Sequence, residues 1–368
     1  MEIRKHSPAH AAGIAAFSLQ PAAHGAAQLI DASSGSNWPP GESDGTLYQE
    51  SFLAIEDTDS VQGGYTLRCR PFVLNGEPTI IGQLCRVGWT DRDDRPGALD
   101  NIIADAVNRR PLLFALGAGG PDQPLHRCLA DHGWEVVRVP FYFRIVKARQ
   151  FLRNVTYLRT NILKRIGLDL VAFSGLGSLA LRYVHSDLKA ANTRAGQMTV
   201  EVVDRFDSWA DDLWHEAAPS FDLAGVRDLR TLPVLYPDHD QRFVRLLFSS
   251  EYRPVGWAVC VGTQLKEHSQ FGNMRIGSIV DAVVKPPHVS AALAAAAKFL
   301  AKLDIDLVIS SQTHQDYCIA LEQNALRSGP SNLTLAISPE LVKALDPFDI
   351  KVALSLFSRG DGDDPFRL

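Results

Sequence analysis

The stretch "DAVVKPPHVSAALAAAAKFLAKLDIDLVISS", residues 281–311, decides the fold because it reads as a strand, a turn, a helix and a second strand. Its middle part, over residues 288–303, places large apolar side chains along one helical stripe. These side chains are Val289, Leu293, Leu300 and Leu303. A strand followed by a helix and another apolar strand is typical of a sheet that carries helices on its faces.

The turn before this helix contains Lys285, Pro286, Pro287 and His288 and has no glycine. A helix N-terminus attracts anions through its unbonded amides and its dipole, but the two prolines remove two of those amides. Lys285 and His288 either hold phosphate groups or are ordinary surface residues of a turn. Ser290 either contacts the same anion or caps the helix, and capping is the simpler interpretation.

The segments around this stretch continue the pattern. A second helix is predicted over residues 314–329, where glycine and proline end it, and "DIKVALSLFS", residues 349–358, is predicted as the closing strand. Extended segments are predicted before the central helix at 242–250, 255–265 and 274–284.

The first half repeats this order of elements. "PGALDNIIADAVNRR" (96–110) predicts a helix with one apolar face, and "PLLFALGAGG" (111–120) predicts a buried strand. "DQPLHRCLADHGW" (122–134) predicts a second helix, and "EVVRVPFYFRIV" (135–146) predicts a strand that Pro140 interrupts. We therefore predict an α/β fold with mixed (α+β) sheets, built from two tandem domains. Their expected bounds are 1–146 and 198–368, joined by a helical basic and apolar linker over 147–197.

The composition narrows the class of protein. The chain has 368 residues, 46% of them hydrophobic, and a net charge of -5 with a pI near 6.1. This charge argues against a general nucleic-acid-binding protein. The five cysteines are scattered and lack CxxC spacing, which favours reduced thiols in a cytoplasm. The N-terminus does not show a signal-peptide pattern, so a cytoplasmic location is expected.

The linker raises a second possibility for location. Residues 147–165 contain six Lys or Arg and no acid, and residues 166–184 follow as a mostly apolar window. Basic segments beside apolar surface bind anionic membranes, so peripheral contact with the inner face of the membrane through 147–184 is one expectation. The alternative is that the apolar side chains of the linker pack between the two domains.

The repeated order of elements resembles the GNAT acyltransferase superfamily, in the tandem arrangement seen in Fem-type peptidyltransferases. The stretch "LADHGWEVVRVPFYFRIV" (129–146) looks like the helix, Gly-aromatic turn and paired strands near the end of a GNAT domain. The pairing of "GGYTLRCRPFVLNGE" (63–77) with "FLRNVTYLR" (151–159) also resembles bacterial tandem-domain proteins associated with extracellular polysaccharide assembly.

The resemblance implies an acyl-CoA co-substrate, whose pantetheine arm pairs with a splayed central strand and whose pyrophosphate lies on the following loop. In the second half this strand and loop supply Val283, Val284, Lys285, His288 and Ser290 as the binding residues. The corresponding loop of the first half, "VGWTDRDDRPGAL" (87–99), carries several aspartates that repel a pyrophosphate.

The resemblance also implies two catalytic groups. Asp281 stands where the family often places a carboxylate that accepts a proton from the attacking amine, although a structural carboxylate explains the residue as well. The tyrosine that the family often uses as a general acid is replaced by Leu129 in the first half and is missing near Ala325 in the second. Tyr317 lies two turns earlier in its predicted helix.

Two further patterns are interpreted as structural. His314 and Cys318 share a helical face, but the sequence shows no other ligand beside them, so no metal is expected. "RGDGDDPF" (359–366) resembles an incomplete calcium loop and is predicted to be an acidic, solvated tail.

The predicted function is therefore transfer of an acyl group from acyl-CoA to an amine or hydroxyl acceptor, in polysaccharide or cell-wall assembly. Two alternatives remain open. One is a non-catalytic binding or scaffold protein with a degenerate GNAT fold. The other is a Fem-type transferase that depends on aminoacyl-tRNA, which the basic linker alone supports.

Overall fold

The computed structural model describes residues 1–20, 23–25, 37–41, 45–56, 60–90, 97–154, 193–195, 198–268, 271–362 and 366. Within these residues the chain forms two mixed sheets with helices packed on them. This is the α/β architecture that the alternation of elements predicts.

The described residues of the first half form a series of strands and several α-helices. The strands are β1 (Glu2–Lys5), β2 (Ala23–His24), β3 (Tyr48–Ile55), β4 (Val61–Leu74), β5 (Glu77–Thr90), β6 (Leu113–Ala118), β7 (Glu135–Arg138) and β8 (Phe141–Ile145). The helices are α1 (Ala11–Ser18), α2 (Ala98–Arg109), α3 (Pro124–Asp131) and α4 (Ala148–Asn154).

The second half follows the same plan. Its strands are β9 (Thr199–Val203), β10 (Leu223–Gly225), β11 (Phe243–Ser250), β12 (Arg253–Gln264), β13 (Arg275–Val284), β14 (Leu307–Ser311), β15 (Arg327–Gly329), β16 (Leu333–Ile337) and β17 (Ser355–Leu356). Its helices are α5 (Trp209–Ala217), α6 (Leu232–Leu235), α7 (Val289–Lys302), α8 (Gln315–Gln323), α9 (Pro339–Ala344) and α10 (Phe348–Ala353).

The main path of the first sheet has the same strand order as the second sheet, and strands cross between the two halves. Strands β10 and β17 of the second half also join the first sheet, through the pairing of β10 with β4. The first sheet runs β1-β3-β4-β5-β6-β16-β7, and the second runs β9-β11-β12-β13-β14-β8-β15. Strand β8 comes from the first half but pairs antiparallel with β14 and β15. Strand β16 comes from the second half but pairs antiparallel with β6 and β7. Each sheet is therefore completed by a strand of the other half.

Pro140 lies where the chain passes from one sheet to the other. The segment predicted as one interrupted strand over 135–146 is split into β7 in the first sheet and β8 in the second. A proline has no amide to donate to a ladder, so the break in pairing occurs at a residue that could not continue it.

The prediction for the closing strand of the second half was wrong. Residues 348–353 form helix α10, and only Ser355–Leu356 of the predicted segment are extended. The strand that closes the repeat is β16, which lies between β6 and β7. Phe348 and Val352 are four residues apart and pack on the same apolar cluster, which is helical spacing.

The helices bury the apolar faces that their sequences predict. Helix α2 buries Leu99, Ile102, Ile103 and Ala106, which join the core of the first sheet. Helix α7 buries Val289, Leu293 and Leu300 in the core of the second sheet. Leu303 does not belong to that stripe, since the helix ends at Lys302 and the Leu303 side chain is 38% exposed.

Most of the predicted linker lies outside the described residues. Helix α4 is its first described part, and Phe151 stacks on Phe143 of β8 with 6.5 Å between the ring centroids. The apolar window 166–184, on which the membrane hypothesis depends, belongs to the part of the chain that is not described. Among the described residues, none of the helices has the length and apolar character needed to cross a bilayer.

Candidate functional site

The parallel strands β13 and β14 separate part of the way along the second sheet. Ile276–Ile279 pair with Leu307–Ser310, but β13 continues to Val284 with pairing only to β12. A β-bulge in β13 lies where this separation begins, because the register shifts between Val259 and Cys260 of β12. We call the gap beyond Ile279 and Ser310 the second notch, because it lies in the second sheet.

The backbone amides along the notch are already hydrogen-bonded. The amide of Lys285 donates to Val255 of β12 at 2.9 Å, and amides of a strand alternate in direction, so those of Ala282 and Val284 point into the notch. The Ala282 amide donates to Oδ1 of Asp281 at 3.0 Å. The Val284 amide donates to the hydroxyl of Tyr317 at 3.0 Å. A pantetheine arm would have to displace both acceptors to pair with β13.

The turn after β13 offers few amides to a phosphate. Pro286 and Pro287 have none, and the amide of His288 donates to the Lys285 carbonyl at 2.9 Å. The amide of Val289 donates to the Pro286 carbonyl. The amides of the turn therefore bond within the turn itself, whereas those of a glycine-rich phosphate loop are available to the ligand.

The side chains predicted to hold the coenzyme lie near one another but make other contacts. Lys285 forms an ion pair with Glu216 at 2.8 Å, and His288 is half-buried. The Ser290 hydroxyl donates to Gln323 at 3.2 Å and makes no capping hydrogen bond, because His288 occupies the N-cap position. The expectation that Ser290 caps the helix was therefore wrong.

Asp281 is fully buried and holds several groups together. Its Oδ2 accepts hydrogen bonds from Arg227 Nε at 2.9 Å and from the Tyr236 hydroxyl at 2.7 Å. Its Oδ1 accepts from the Ser358 hydroxyl at 3.0 Å, in addition to the amide of Ala282. Both oxygens are thus engaged by groups of the chain itself. We infer that Asp281 positions these groups, and its role as a catalytic base stays a prediction.

Arg227 links this carboxylate to the C-terminal segment. Its Nη2 donates to both oxygens of Asp361, at 3.0 and 2.8 Å, and its Nη1 donates to the Gly225 carbonyl at 2.6 Å. Arg70 of β4 also donates to Asp361, and the Asp361 carbonyl accepts from Gln83 of β5 at 3.0 Å. Arg70 and Gln83 belong to the first sheet, so this buried network joins the two halves.

The charges in the buried network stabilise one another. Burial alone would raise the pKa of Asp361, but the positive charges of Arg227 and Arg70 hold it below its ordinary value. Burial alone would lower the pKa of Arg227, and the charges of Asp281 and Asp361 instead raise it. Burial and the charge of Asp281 raise the pKa of Tyr236 well above its usual range. The network is therefore a set of ion pairs with a neutral tyrosine.

The prediction of a solvated tail over 359–366 was wrong in its first part. Arg359, Gly360 and Asp361 form a buried 3-10 turn, while residues 363–365 lie outside the described residues. Gly360 is required here, since a Cβ at this position would lie 1.9 Å from the Tyr236 hydroxyl oxygen. Local sequence shows only a run of acids and glycines, whereas the partners of Asp361 come from distant parts of the chain.

The first sheet contains a related notch. Strands β5 and β6 pair in parallel only at Gly82 and Gln83, and the register between β4 and β5 also shifts near Arg86, whose φ is 51°. Strand β2 pairs with the far end of β5, at Trp89 and Thr90. The loop over 91–96, which the sequence predicts to repel a pyrophosphate, is outside the described residues.

Potential metal ligands lie in both halves of the chain. His314 accepts the Asp316 amide and contacts the Ser220 carbonyl, and Cys318 donates to the Gln312 carbonyl. Within the described part of the chain, Asp100, Cys128 and His132 have ligand atoms within 4.8 Å of one another on the surface of the first half. They lie on α2, on α3 and just after α3, apart from the notch.

Comparisons with known proteins identify the fold. No family model and no curated protein matches the sequence. A conserved protein from Enterococcus faecalis V583, described as a probable N-acyltransferase, is 11% identical over 94% of this chain and 74% of its own, with a TM-score of 0.50. N-myristoyltransferase of Saccharomyces cerevisiae with bound myristoyl-CoA has a TM-score of 0.49 at 11% identity, over 78% of this chain and 66% of its own. A GCN5-related N-acetyltransferase from Anabaena variabilis has a TM-score of 0.47 at 12% identity, over 77% of this chain and 62% of its own. The first of these likenesses shows that the chain shares the fold of this probable N-acyltransferase, in which two mixed sheets follow the same order of strands and each contains a strand from the other half.

Proposed function

We propose that this protein transfers an acyl group from acyl-CoA to an amine or hydroxyl acceptor. The observation that carries the proposal is the separation of β13 from β14 directly after the bulge in β13. In the GNAT fold, a notch of this kind is where the resemblance places the thioester coenzyme. The proposed donor residues remain Val283, Val284, Lys285, His288 and Ser290.

Donor binding at this notch is coupled to a local rearrangement. The Val284 amide becomes available to a pantetheine carbonyl only when the Tyr317 hydroxyl moves away from it. The Ala282 amide similarly requires release from Asp281. A ligand that must first break these hydrogen bonds binds more weakly by the free energy needed to break them. We therefore expect low affinity for acyl-CoA in the unmodified protein.

Two variants test this arrangement with opposite expected results. Tyr317→Phe removes the competing acceptor while keeping the ring, so the affinity for acetyl-CoA should rise about threefold to tenfold. The double variant Lys285→Glu with His288→Glu places negative charge beside the phosphates, so affinity should fall at least tenfold. Isothermal titration calorimetry measures both, and Lys302→Glu at the exposed end of the same helix is the matched charge control.

The outcomes decide whether the donor binds at the second notch. If Tyr317→Phe and the double variant bind acetyl-CoA as the unmodified protein and the Lys302→Glu control do, the coenzyme does not lie at 283–290. If the unmodified protein and Tyr317→Phe bind neither acetyl-CoA nor a long-chain acyl-CoA, the proposed acyl transfer is wrong.

A second candidate is a non-catalytic binding protein that retains the GNAT fold. The observation that favours it is the closed state of the notch, in which this chain's own groups occupy the amides of Ala282 and Val284. It differs from the first candidate in lacking thioester cleavage. Release of free coenzyme A from acetyl-CoA, followed with a thiol reagent in the presence of candidate amines and sugars, distinguishes the two.

The finer parts of the proposal concern the acceptor. The resemblance suggests a sugar or peptidoglycan-type amine or hydroxyl, in polysaccharide or cell-wall assembly. Peripheral membrane contact through 147–184 would bring the protein to lipid-carried precursors of that kind. Flotation with anionic vesicles at low and high salt tests this contact, and absence of flotation at low salt would contradict it.

A further inference from the structure

A cavity of about 280 Å³ lies between the two halves, beside the buried network. Its polar wall is rich in guanidinium groups from both halves. The charged residues that line it are Arg68, Arg70, Arg86, Arg242, Asp240 and Asp361. Ligand pockets for small molecules usually start at about 300 Å³, so this cavity suits a small ligand or one group of a larger one, and is too small for a whole coenzyme.

The acids of the cavity are already paired with arginines. Asp240 accepts hydrogen bonds from Arg242, with distances from 2.6 to 3.2 Å. Asp361 is shared by Arg227, which lies outside the cavity wall, and Arg70. Among the described residues of the wall, four arginines stand against two acids, so these residues together carry a positive charge. Such a wall attracts anions, and the surrounding protein strengthens the attraction because it excludes water.

Two of these arginines are buried, which is costly without acceptors. Arg68 and Arg70 are 6% and 3% exposed. Arg68 donates its Nε to Gln49, which is neutral, and lies over the Trp38 ring at 5.3 Å. Arg70 donates its Nη2 to Asp361, but its Nη1 is buried without a hydrogen-bond partner among the described residues. A buried guanidinium without a negative partner costs free energy. Among the described residues no carboxylate pairs with Arg68, and an anion in the cavity would supply that partner.

The guanidinium of Arg70 is held in place by its surroundings. Gly225 leaves room for this guanidinium, since a Cβ at position 225 would lie 2.6 Å from Arg70 Cζ. The same guanidinium lies over the Phe72 ring at 4.9 Å. A guanidinium held in this way helps to shape a site for an oxyanion, because planar guanidinium donors match the spacing of phosphate or carboxylate oxygens.

We propose that this cavity binds the anionic group, a phosphate or a carboxylate, of a small molecule, and that this molecule is the acyl acceptor. The anion would rest between Arg68 and Arg70 of the first sheet and Arg242 of the second half. The assignment as acceptor depends on the proposed acyl transfer, whereas binding of the anion does not. Because the cavity lies between the halves, the ligand would bridge them next to the network that already joins them.

The test uses calorimetry on the full chain without acyl-CoA, with inorganic phosphate as one probe and acetate as the other. The variants Arg68→Gln and Arg242→Gln each remove one charge while the ion pairs of Asp361 stay intact. Each should weaken binding of the preferred probe about tenfold, and the double variant should weaken it further. Arg253→Gln removes an exposed arginine outside the cavity and should leave binding unchanged.

The two probes distinguish the chemistry of the ligand. Tighter binding of phosphate assigns a phosphorylated acceptor, and tighter binding of acetate assigns a carboxylate acceptor. Equal binding to the unmodified protein and to the double variant would overturn the proposal, as would the absence of binding of both probes. If the anion binds as expected and acyl-CoA does not, the cavity is an anion site and the proposed acyl transfer fails separately.

Discussion

Replacing Asp281 with alanine tests whether this residue holds the structure together or carries out chemistry. The side chain is 0% exposed and accepts hydrogen bonds from Arg227, Tyr236 and Ser358. In the Asp281→Ala variant all three donors lose this acceptor, although the Ser358 hydroxyl keeps a hydrogen bond to Asp361 Oδ2 at 3.3 Å. Arg227 would keep Asp361 and the Gly225 carbonyl, but it would lose one of its two carboxylate partners.

The magnitude follows from the burial of the pair. Removing one partner of a buried ion pair costs about 3–5 kcal/mol, because a charge remains in a poorly solvating environment. Arg227 retains Asp361, which favours the lower end of that range. The buried Tyr236 hydroxyl acts in the opposite direction, since a buried hydroxyl that loses its acceptor adds a cost. We therefore expect the free energy of unfolding to fall by about 3–5 kcal/mol, a large part of the usual total of about 5–15 kcal/mol.

Urea denaturation followed by circular dichroism measures this loss as a lower midpoint. Asp304→Ala is the matched control, because the Asp304 side chain is 78% exposed and pairs with Lys147 at the surface. It should leave the unfolding midpoint nearly unchanged. An Asp281→Ala variant as stable as the unmodified protein would refute the structural role. Should this stable variant also lose acyl transfer, the carboxylate would be a catalytic base.

Three further substitutions probe the same region. Gly360→Ala should lower the free energy of unfolding by about 1–3 kcal/mol, since its Cβ would collide with the Tyr236 hydroxyl. Tyr317→Phe should lower it by about 1–2 kcal/mol, because the buried Val284 amide loses its acceptor. Burial lowers the pKa of His314, so the unfolded chain takes up a proton more readily. The contribution of His314 to the free energy of unfolding is fully present above a pH of about 6.5, and it is lost as pH falls through the lower pKa of the folded state. His314→Asn should therefore make the free energy of unfolding depend less steeply on pH in this range.

Each of these expectations has an outcome that contradicts it. Gly117→Ala is the control for Gly360→Ala, because a Cβ at Gly117 meets no described atom within 4 Å; equal unfolding midpoints for the two variants would refute the collision. An unchanged midpoint for Tyr317→Phe would show that the Val284 amide finds another acceptor. Parallel stability curves for His314→Asn and the unmodified protein between pH 7 and 5 would exclude His314 as the titrating group.

Individual helices and strands could be predicted from the local sequence because the apolar pattern of each element repeats within a few residues. The stripe of Val289, Leu293 and Leu300 repeats every three or four residues, and the structure buries it as expected. The prediction extended this stripe to Leu303, where the helix has ended, because a stripe alone does not show where the backbone leaves the helix. The sequence also predicts a strand over 349–358, but packing of Phe348 and Val352 on a common cluster makes the first part of that segment helical.

The site could be predicted from the sequence only in part, because the residues that form it are far apart along the chain. The resemblance points to Asp281 but assigns no role to Tyr317, and the partners of both residues lie too far along the chain to be found locally. Arg227 is 54 residues from Asp281, and Arg70 is 291 residues from Asp361. No periodicity relates residues at such separations. The run of acids near the C-terminus looked solvated because the arginines that pair with Asp361 lie in distant parts of the chain.

The sequence by itself determined the alternation of strands and helices, the repeat of that order in two halves, and a turn with two prolines after β13. These are consequences of backbone sterics and of apolar periodicity over a few residues. Only the tertiary structure decided that β8 completes the second sheet and β16 the first. Both are short apolar strands, so composition does not assign either one to a sheet. Their placement, and the closing of the notch by Asp281 and Tyr317, depend on how distant strands and helices pack against one another.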